Sequence, residues 1–263
     1  MKAPEEYPVL LRVIVGSRAH GLARPDSDYD YREVFIIPTS EMLSLGRDRM
    51  KFGWMSQGKH IDDEGGDEVA QFLHLCSKGA PNAVELCFAP LDEAWEPQVN
   101  VIPDAVQAAG RSVLSRDAVQ AGVIGYAMNS FRKIEDRPGK WKAGMLRVLL
   151  QGRSLVQTGT MSLNVDDLPA TDAATVRLAA ANGLTDGQAL DLANALVAEI
   201  KAGPSALPSK PDYEAANRWL LDLRRTFWEV PSTPTYLPAD DPHIVAHWPP
   251  PSSVFADEGA ATP

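Results

Sequence analysis

Cysteine is scarce in this chain of 263 residues, where Cys76 and Cys87 are the two present. Two are too few for a disulfide framework, and no C-x-x-C pair suggests zinc or thiol redox work. Each falls in an apolar context, so buried free thiols are expected. No run approaches the roughly 18 apolar residues of a membrane-spanning helix. The opening residues, MKAPEEYPVLLRVIVG, contain no long apolar h-region and no small-residue cleavage site. Cytoplasmic residence without a membrane partner is therefore expected. The phosphate loop G-x-x-x-x-G-K-[ST] and the dinucleotide signature G-x-G-x-x-G are both missing, which removes the common ATPase and dinucleotide readings. No internal repeat is present. Positive charge is also short: the formal net charge is -10, which argues against a surface broadly coated with nucleic acid.

What remains is an ordinary globular composition, 44% hydrophobic and 23% charged. The length suits one large domain or two modest ones, with an ample core. The most informative stretch is Arg12 to Pro38, RVIVGSRAHGLARPDSDYDYREVFIIP. Val13, Ile14 and Val15 form a β-branched run that stops at Gly16-Ser17. Val34, Phe35, Ile36 and Ile37 form a second run that stops at Pro38. Short apolar runs bounded by turn residues predict buried strands. Between them Asp26, Asp28 and Asp30 alternate with Ser27 and Tyr29. Alternate residues of an extended strand share a face, which would set Asp28 and Asp30 side by side. Two such carboxylates repel unless a cation lies between them, and paired oxygens suit Mg²⁺. Gly16 permits a tight turn and close approach of a ligand, and a helix starting after Ser17 would offer N–H groups and a hydroxyl to a phosphate.

Gly16-Ser17, a spacer and then Asp28-x-Asp30 resemble the signature of the DNA polymerase β-like nucleotidyltransferase superfamily. The fuller string GSRAHGLARPDSDYDYR resembles its RNA-repair-pathway branch of nucleotidyltransferases. The resemblance implies an α+β fold, a mixed sheet with helices like a polymerase β palm, followed by a helical domain. It implies transfer of a nucleotide from an NTP by two Mg²⁺ ions at Asp28 and Asp30, with a third carboxylate on a neighbouring strand. Alignment on the following helix favours Asp63 for that third acid, while Asp62 and Asp67 remain open within the DDEGGDE cluster. Gly16 and Ser17 would hold phosphates. Arg18 and Arg32 flank the site and could serve phosphate or structure, with Glu33 standing where relatives often have Gly. The segment KGAPNAVE matches a further family block, with Ala80 in place of a frequent Asn.

From Phe131 to Arg153 the chain carries seven basic residues (Arg132, Lys133, Arg137, Lys140, Lys142, Arg147, Arg153) against Glu135 and Asp136. Within it Lys140, Gly144, Arg147 and Gln151 share one helical side, so Lys140 and Arg147 are expected to reach one anion together. The family's second block has a lysine, a histidine and an arginine here; Gly144 occupies the histidine's place.

Helices are expected over Glu68–Lys78, starting from Gly66 or Asp67, from Ser115 through VIGYAMNSFRKIE, over KWKAGMLRVLLQGRSLVQTG, over Thr185–Lys201 with a Thr185/Gln188 capping box, and over Pro211–Glu229. Residues 38–59 read as a loop or weak strands, Lys59–Glu64 as a short strand feeding the helix that follows, and Ala83–Phe88 as a helix or strand. The expected layout is a catalytic domain to residue 105, a helical domain over 106–230, and a tail over 231–263, where eight prolines fall in 33 residues. The acceptor is the open point. An RNA 3′ end fits the branch and the basic strip. A small molecule such as an aminoglycoside, a protein hydroxyl, or a non-catalytic antitoxin or scaffold module are the alternatives.

Overall fold

The computed structural model describes residues 7–45, 52–55, 63–96 and 103–229. The expected tail over 231–263, and Asp62, lie outside the described residues. The elements run β1 Val9–Val15, α1 Gly16–Ala19, β2 Asp30–Phe35, α2 Thr39–Leu43, β3 Gly53–Met55, β4 Asp63–Glu68, α3 Val69–Ser77, α4 Pro81–Leu86 and α5 Pro103–Ser112. They continue with α6 Arg116–Phe131, α7 Pro138–Thr158, a 3-10 turn at Val165–Asp167, α8 Ala170–Ala180, α9 Asp186–Ala202 and α10 Tyr213–Thr226. The architecture is α+β, as expected from the sequence.

The sheet has the order β1-β2-β4-β3. It is mixed: β1 and β2 are antiparallel, β2 and β4 parallel, β3 and β4 antiparallel. The outer edge of β1 is met by residues 90–92, through a Val13–Leu91 bridge and the Ile14 N–H bond to the Pro90 carbonyl. Val13, Val15, Val34 and Ile36 point into one continuous core with Phe72, Leu73 and Cys76 of α3 and Met145, Leu146 and Leu149 of α7. A smaller cluster of Tyr7, Phe35 and Ile37 fills the other side.

The segment DEGGDE departs from expectation in its bounds, since the short strand expected over Lys59–Glu64 is found over Asp63–Glu68. It forms β4, and α3 starts after it, with the Glu68 carboxylate accepting from the Ala70 N–H at 2.8 Å as the cap. Gly66 therefore belongs to the sheet rather than to the helix start. A β-carbon on it would come 2.9 Å from Trp54 Nε1 and 3.0 Å from the Glu33 carbonyl oxygen, so only glycine lets these strands close. Within 38–59, α2 and β3 are the described elements.

The long α7 starts two residues before the expected Lys140, with Pro138 in its first turn, and ends on left-handed Gly159. The Thr185/Gln188 capping box opens α9 as expected. The expected boundary near residue 105 falls inside α5, which packs against β1, α3 and α4 and also against α10. The last helix is tied to the sheet by Arg224, which donates to the Ile37 carbonyl at 2.9 Å and pairs with the fully buried Glu68. Among the described residues, no helix is long and apolar enough to cross a membrane.

Candidate active site

Three chain segments meet at one end of the sheet. Val15, the last residue of β1, is in register with Asp30, the first of β2, and Asp30 is in register with Asp63, the first of β4. Neighbouring strands lie about 4.8 Å apart, so this row brings the Gly16-Ser17 turn, Asp30 and the Asp63 backbone together. Asp67, the open alternative for a third acid, is in register with Val34. It lies four residues along β4, about 13 Å from the Asp30 row. Burial pushes its carboxyl above the usual range, opposed by the charge of Arg32.

Gly16 has φ +69°, and a β-carbon there would lie 1.7 Å from Asp30 Oδ2. The carboxylate of Asp30 thus rests on the bare α-carbon of the turn. Both the left-handed backbone and the close approach demand glycine. Ser17 is half-buried, and its hydroxyl has no hydrogen-bond partner among the described residues. Asp28 is exposed and lies two residues ahead of β2, in the connecting loop rather than on a strand.

Arg18 fixes that loop. Its Nε donates to the Asp28 carbonyl at 3.1 Å, an Nη donates to the Ser27 carbonyl, and its guanidinium lies 3.9 Å from the Tyr29 ring centre. Tyr29 stacks on Tyr31, and the Arg12 guanidinium lies 4.3 Å from the Tyr31 ring. Arg12 is itself held by Glu33 at 2.6 Å, Glu64 at 2.8 Å and Asp92 at 3.2 Å. Glu33, the departure from the family's usual Gly, therefore pairs with Arg12. Arg32 Nη1 donates to the Tyr31 carbonyl at 2.7 Å. This Arg-Tyr ladder was not read from the sequence; the alternation of Tyr29 and Tyr31 with Asp28 and Asp30 was its available signal.

The basic strip is smaller than a charge count suggests. Lys142 is buried, donates to the Leu184 carbonyl at 2.7 Å and pairs with Asp186 at 2.8 Å. Arg153 pairs with Asp172 and with Glu199 at 2.7 Å. Arg147 is buried, with Nη1 2.7 Å from Glu85 Oε1 and 2.6 Å from Gln151 Oε1. Lys140 is exposed, its ammonium 6.0 Å from the Trp141 ring centre. Lys140 and Arg147 therefore do not present a joint anion site: one faces water and the other is engaged within the core. Arg132, Lys133, Arg137 and Lys140 remain exposed around the α6–α7 connection.

His20 closes the turn from beneath. Its Nδ1 donates to the Leu163 carbonyl at 3.3 Å, and Nε2 lies 3.9 Å from Glu85 Oε1. Burial, aided by the Arg147 charge, lowers its pKa to about 4, so the ring is neutral at pH 7. The unfolded chain takes up this proton near pH 6.5, before the folded one does. Stability should therefore fall as pH drops from about 6.5 to about 4, by about 3 kcal/mol in all. A His20→Asn variant, which keeps a donor for Leu163, should lose about 2 kcal/mol less than the parent between pH 7 and pH 4.5 in urea titrations. Parallel profiles for the two proteins would show that His20 is not the group responsible.

A mixed four-stranded sheet backed by helices, with the Gly-Ser turn packed on Asp30 at one end, is the α+β arrangement of a nucleotidyltransferase-like fold. The pattern that characterises the RNA repair pathway DNA polymerase beta family matches residues 1–222, and the chain belongs to that family. A search of curated proteins gives no significant match.

Proposed function

We propose that the chain moves a nucleoside monophosphate from an NTP to an acceptor hydroxyl. The observation that carries this is the packing of the Asp30 carboxylate on Gly16, which joins a metal-type acid to a phosphate-type turn. The donor set fits a hard divalent ion: Asp28 is exposed, Asp30 is half-buried, and both offer oxygen ligands. Among the described residues no three such side chains converge, and the third ligand is proposed at Asp63 on the strength of its backbone register with Asp30. Bound there, Mg²⁺ in a two-metal arrangement would neutralise the phosphates and polarise the α-phosphorus.

The chain's own residues supply the rest. The Ser17 hydroxyl donates to a β- or γ-phosphate oxygen, as its lack of a protein partner permits. Arg18 keeps the Asp28 loop against the turn. Asp63 accepts the proton of the attacking hydroxyl. The new bond joins that oxygen to the α-phosphorus, and the bond to pyrophosphate breaks.

The acceptor we favour is an RNA 3′ end, in keeping with the family's RNA repair description and the exposed basic cluster. Single-stranded contacts contribute about 0.7 of a salt-slope unit each, so replacing Lys133, Arg137 and Lys140 by Gln should flatten the slope by about 2. Transfer to a small hydroxyl acceptor should stay close to parental, because the aspartate pair is untouched. Parental RNA affinity from roughly 50 to 200 mM salt would rule out this surface as the RNA contact.

A further inference from the structure

Beneath the Gly16-Ser17 turn lies a buried polar chain that the chemistry above does not use. Arg147 Nη1 donates to both Glu85 Oε1 and Gln151 Oε1. With its oxygen so engaged, Gln151 can only present its amide nitrogen to the other side. That nitrogen donates to the Ser162 carbonyl at 3.0 Å and the Leu163 carbonyl at 2.8 Å. The Leu163 carbonyl also accepts from His20 Nδ1, and the Val165 N–H donates to the His20 carbonyl at 3.1 Å. Gly21, with φ +66°, presses on Asn164: a β-carbon on it would come 2.2 Å from Oδ1. The order of contacts is therefore Glu85, Arg147, Gln151, residues 162–165, His20 and the turn.

A buried ion pair contributes little net stability, because desolvation offsets its attraction, whereas its directed hydrogen bonds specify geometry. This pair spans 62 residues of sequence, and the hydrogen-bonded chain that starts from it ends at His20, on the segment that carries Ser17. We propose that Arg147 is a positioning residue, which fixes the Gln151 amide and through residues 162–165 holds the Gly16–Ala19 turn against Asp30. Its effect on transfer rests on the nucleotidyltransferase reading; its effect on the turn does not.

The test uses the full chain and two readouts. Replacing the pair by apolar residues, Glu85→Leu with Arg147→Met, removes both charges together and avoids leaving one unpaired. The double variant should unfold near the parental temperature. Its peptide covering Gly16–Leu22 should nevertheless exchange amide hydrogens about 10-fold faster, as local opening becomes easier. Transfer should fall about 100-fold in kcat/KM, the scale expected for a misplaced catalytic segment. A role confined to stability would let the apolar pair restore both. Gln151→Met keeps the ion pair and cuts its link to residues 162–163, and it should show the same faster exchange, which also covers a double variant that does not fold. Parental exchange of the turn in a folded double variant, or in Gln151→Met, overturns the proposal. If the parent transfers no nucleotide, faster exchange still supports the brace, and the nucleotidyltransferase reading alone falls.

Discussion

Asp28→Asn and Asp30→Asn should each reduce nucleotide transfer by about 10³-fold or more in a protein that still folds. Each replacement removes a formal charge from the proposed metal ligands, and ligand-held metal ions contribute several kcal/mol of transition-state stabilisation in such reactions. Folding should be little affected. Asp28 is exposed on a loop held by its backbone carbonyl, which Asn retains. Asn at residue 30 is close in size to Asp and leaves the contact with Gly16 in place. Asp63→Asn should behave like the first two, because its backbone is in register with Asp30. Asp67→Asn should stay within a few-fold of the parent, since it lies about 13 Å along the strand. Single-turnover assays at saturating Mg²⁺ read all four. Parental turnover in Asp28→Asn or Asp30→Asn would end the assignment, and loss in Asp67→Asn with full activity in Asp63→Asn would move the third acid.

Gly16→Ala is expected to have the second largest effect. An L-residue in the left-handed region costs roughly 1–2 kcal/mol, which should appear in the urea midpoint. The new methyl would also occupy the place of Asp30 Oδ2, 1.7 Å from its built position, and must displace the carboxylate. A displacement near 1 Å should lower transfer by about 100-fold. Gly144→Ala is the matched control. It sits within α7 with nothing within 4 Å of its β-carbon position, so Ala there should raise stability by up to about 1 kcal/mol. A Gly16→Ala protein with the parental rate and midpoint would show that the turn is not the close-packed element described here.

The strands and helices with strong periodicity were legible in the sequence. The β-branched run before Gly16 became the end of β1, whereas the run Val34–Ile37 overlaps β2 only at Val34 and Phe35, because β2 starts earlier, at Asp30, where it pairs with β1 and β4; α6, α7, α9 and α10 follow their apolar spacing and caps. The strand before α3 was legible only in part, expected over Lys59–Glu64 and found over Asp63–Glu68, because DEGGDE has no apolar residue and owes its extent to lateral pairing with both β2 and β3. Alanine-rich α8 carries a weak local signal, with Val176 and Ala179 as its buried residues. The candidate site was legible as residue types: Gly16, Ser17, Asp28 and Asp30 lie around the same turn. The basic strip misled for a physical reason. The partners that engage Lys142, Arg147 and Arg153 are Asp186, Glu85, Asp172 and Glu199, most of them far away in sequence. A local charge count does not register them. His20 and Glu85 became visible as one cluster only when α1, α4 and α7 were packed together.

The most direct measurement of the central claim follows the two ends of the triphosphate separately. The purified chain is incubated with Mg²⁺, total RNA and small hydroxyl acceptors, once with α-labelled and once with γ-labelled NTP. The α-label should enter an acceptor and the γ-label should leave as pyrophosphate, with both signals lost in the Asp28→Asn/Asp30→Asn double variant. Entry of the γ-label into the acceptor, or α-label transfer that persists in the double variant, would contradict nucleotidyl transfer at this site.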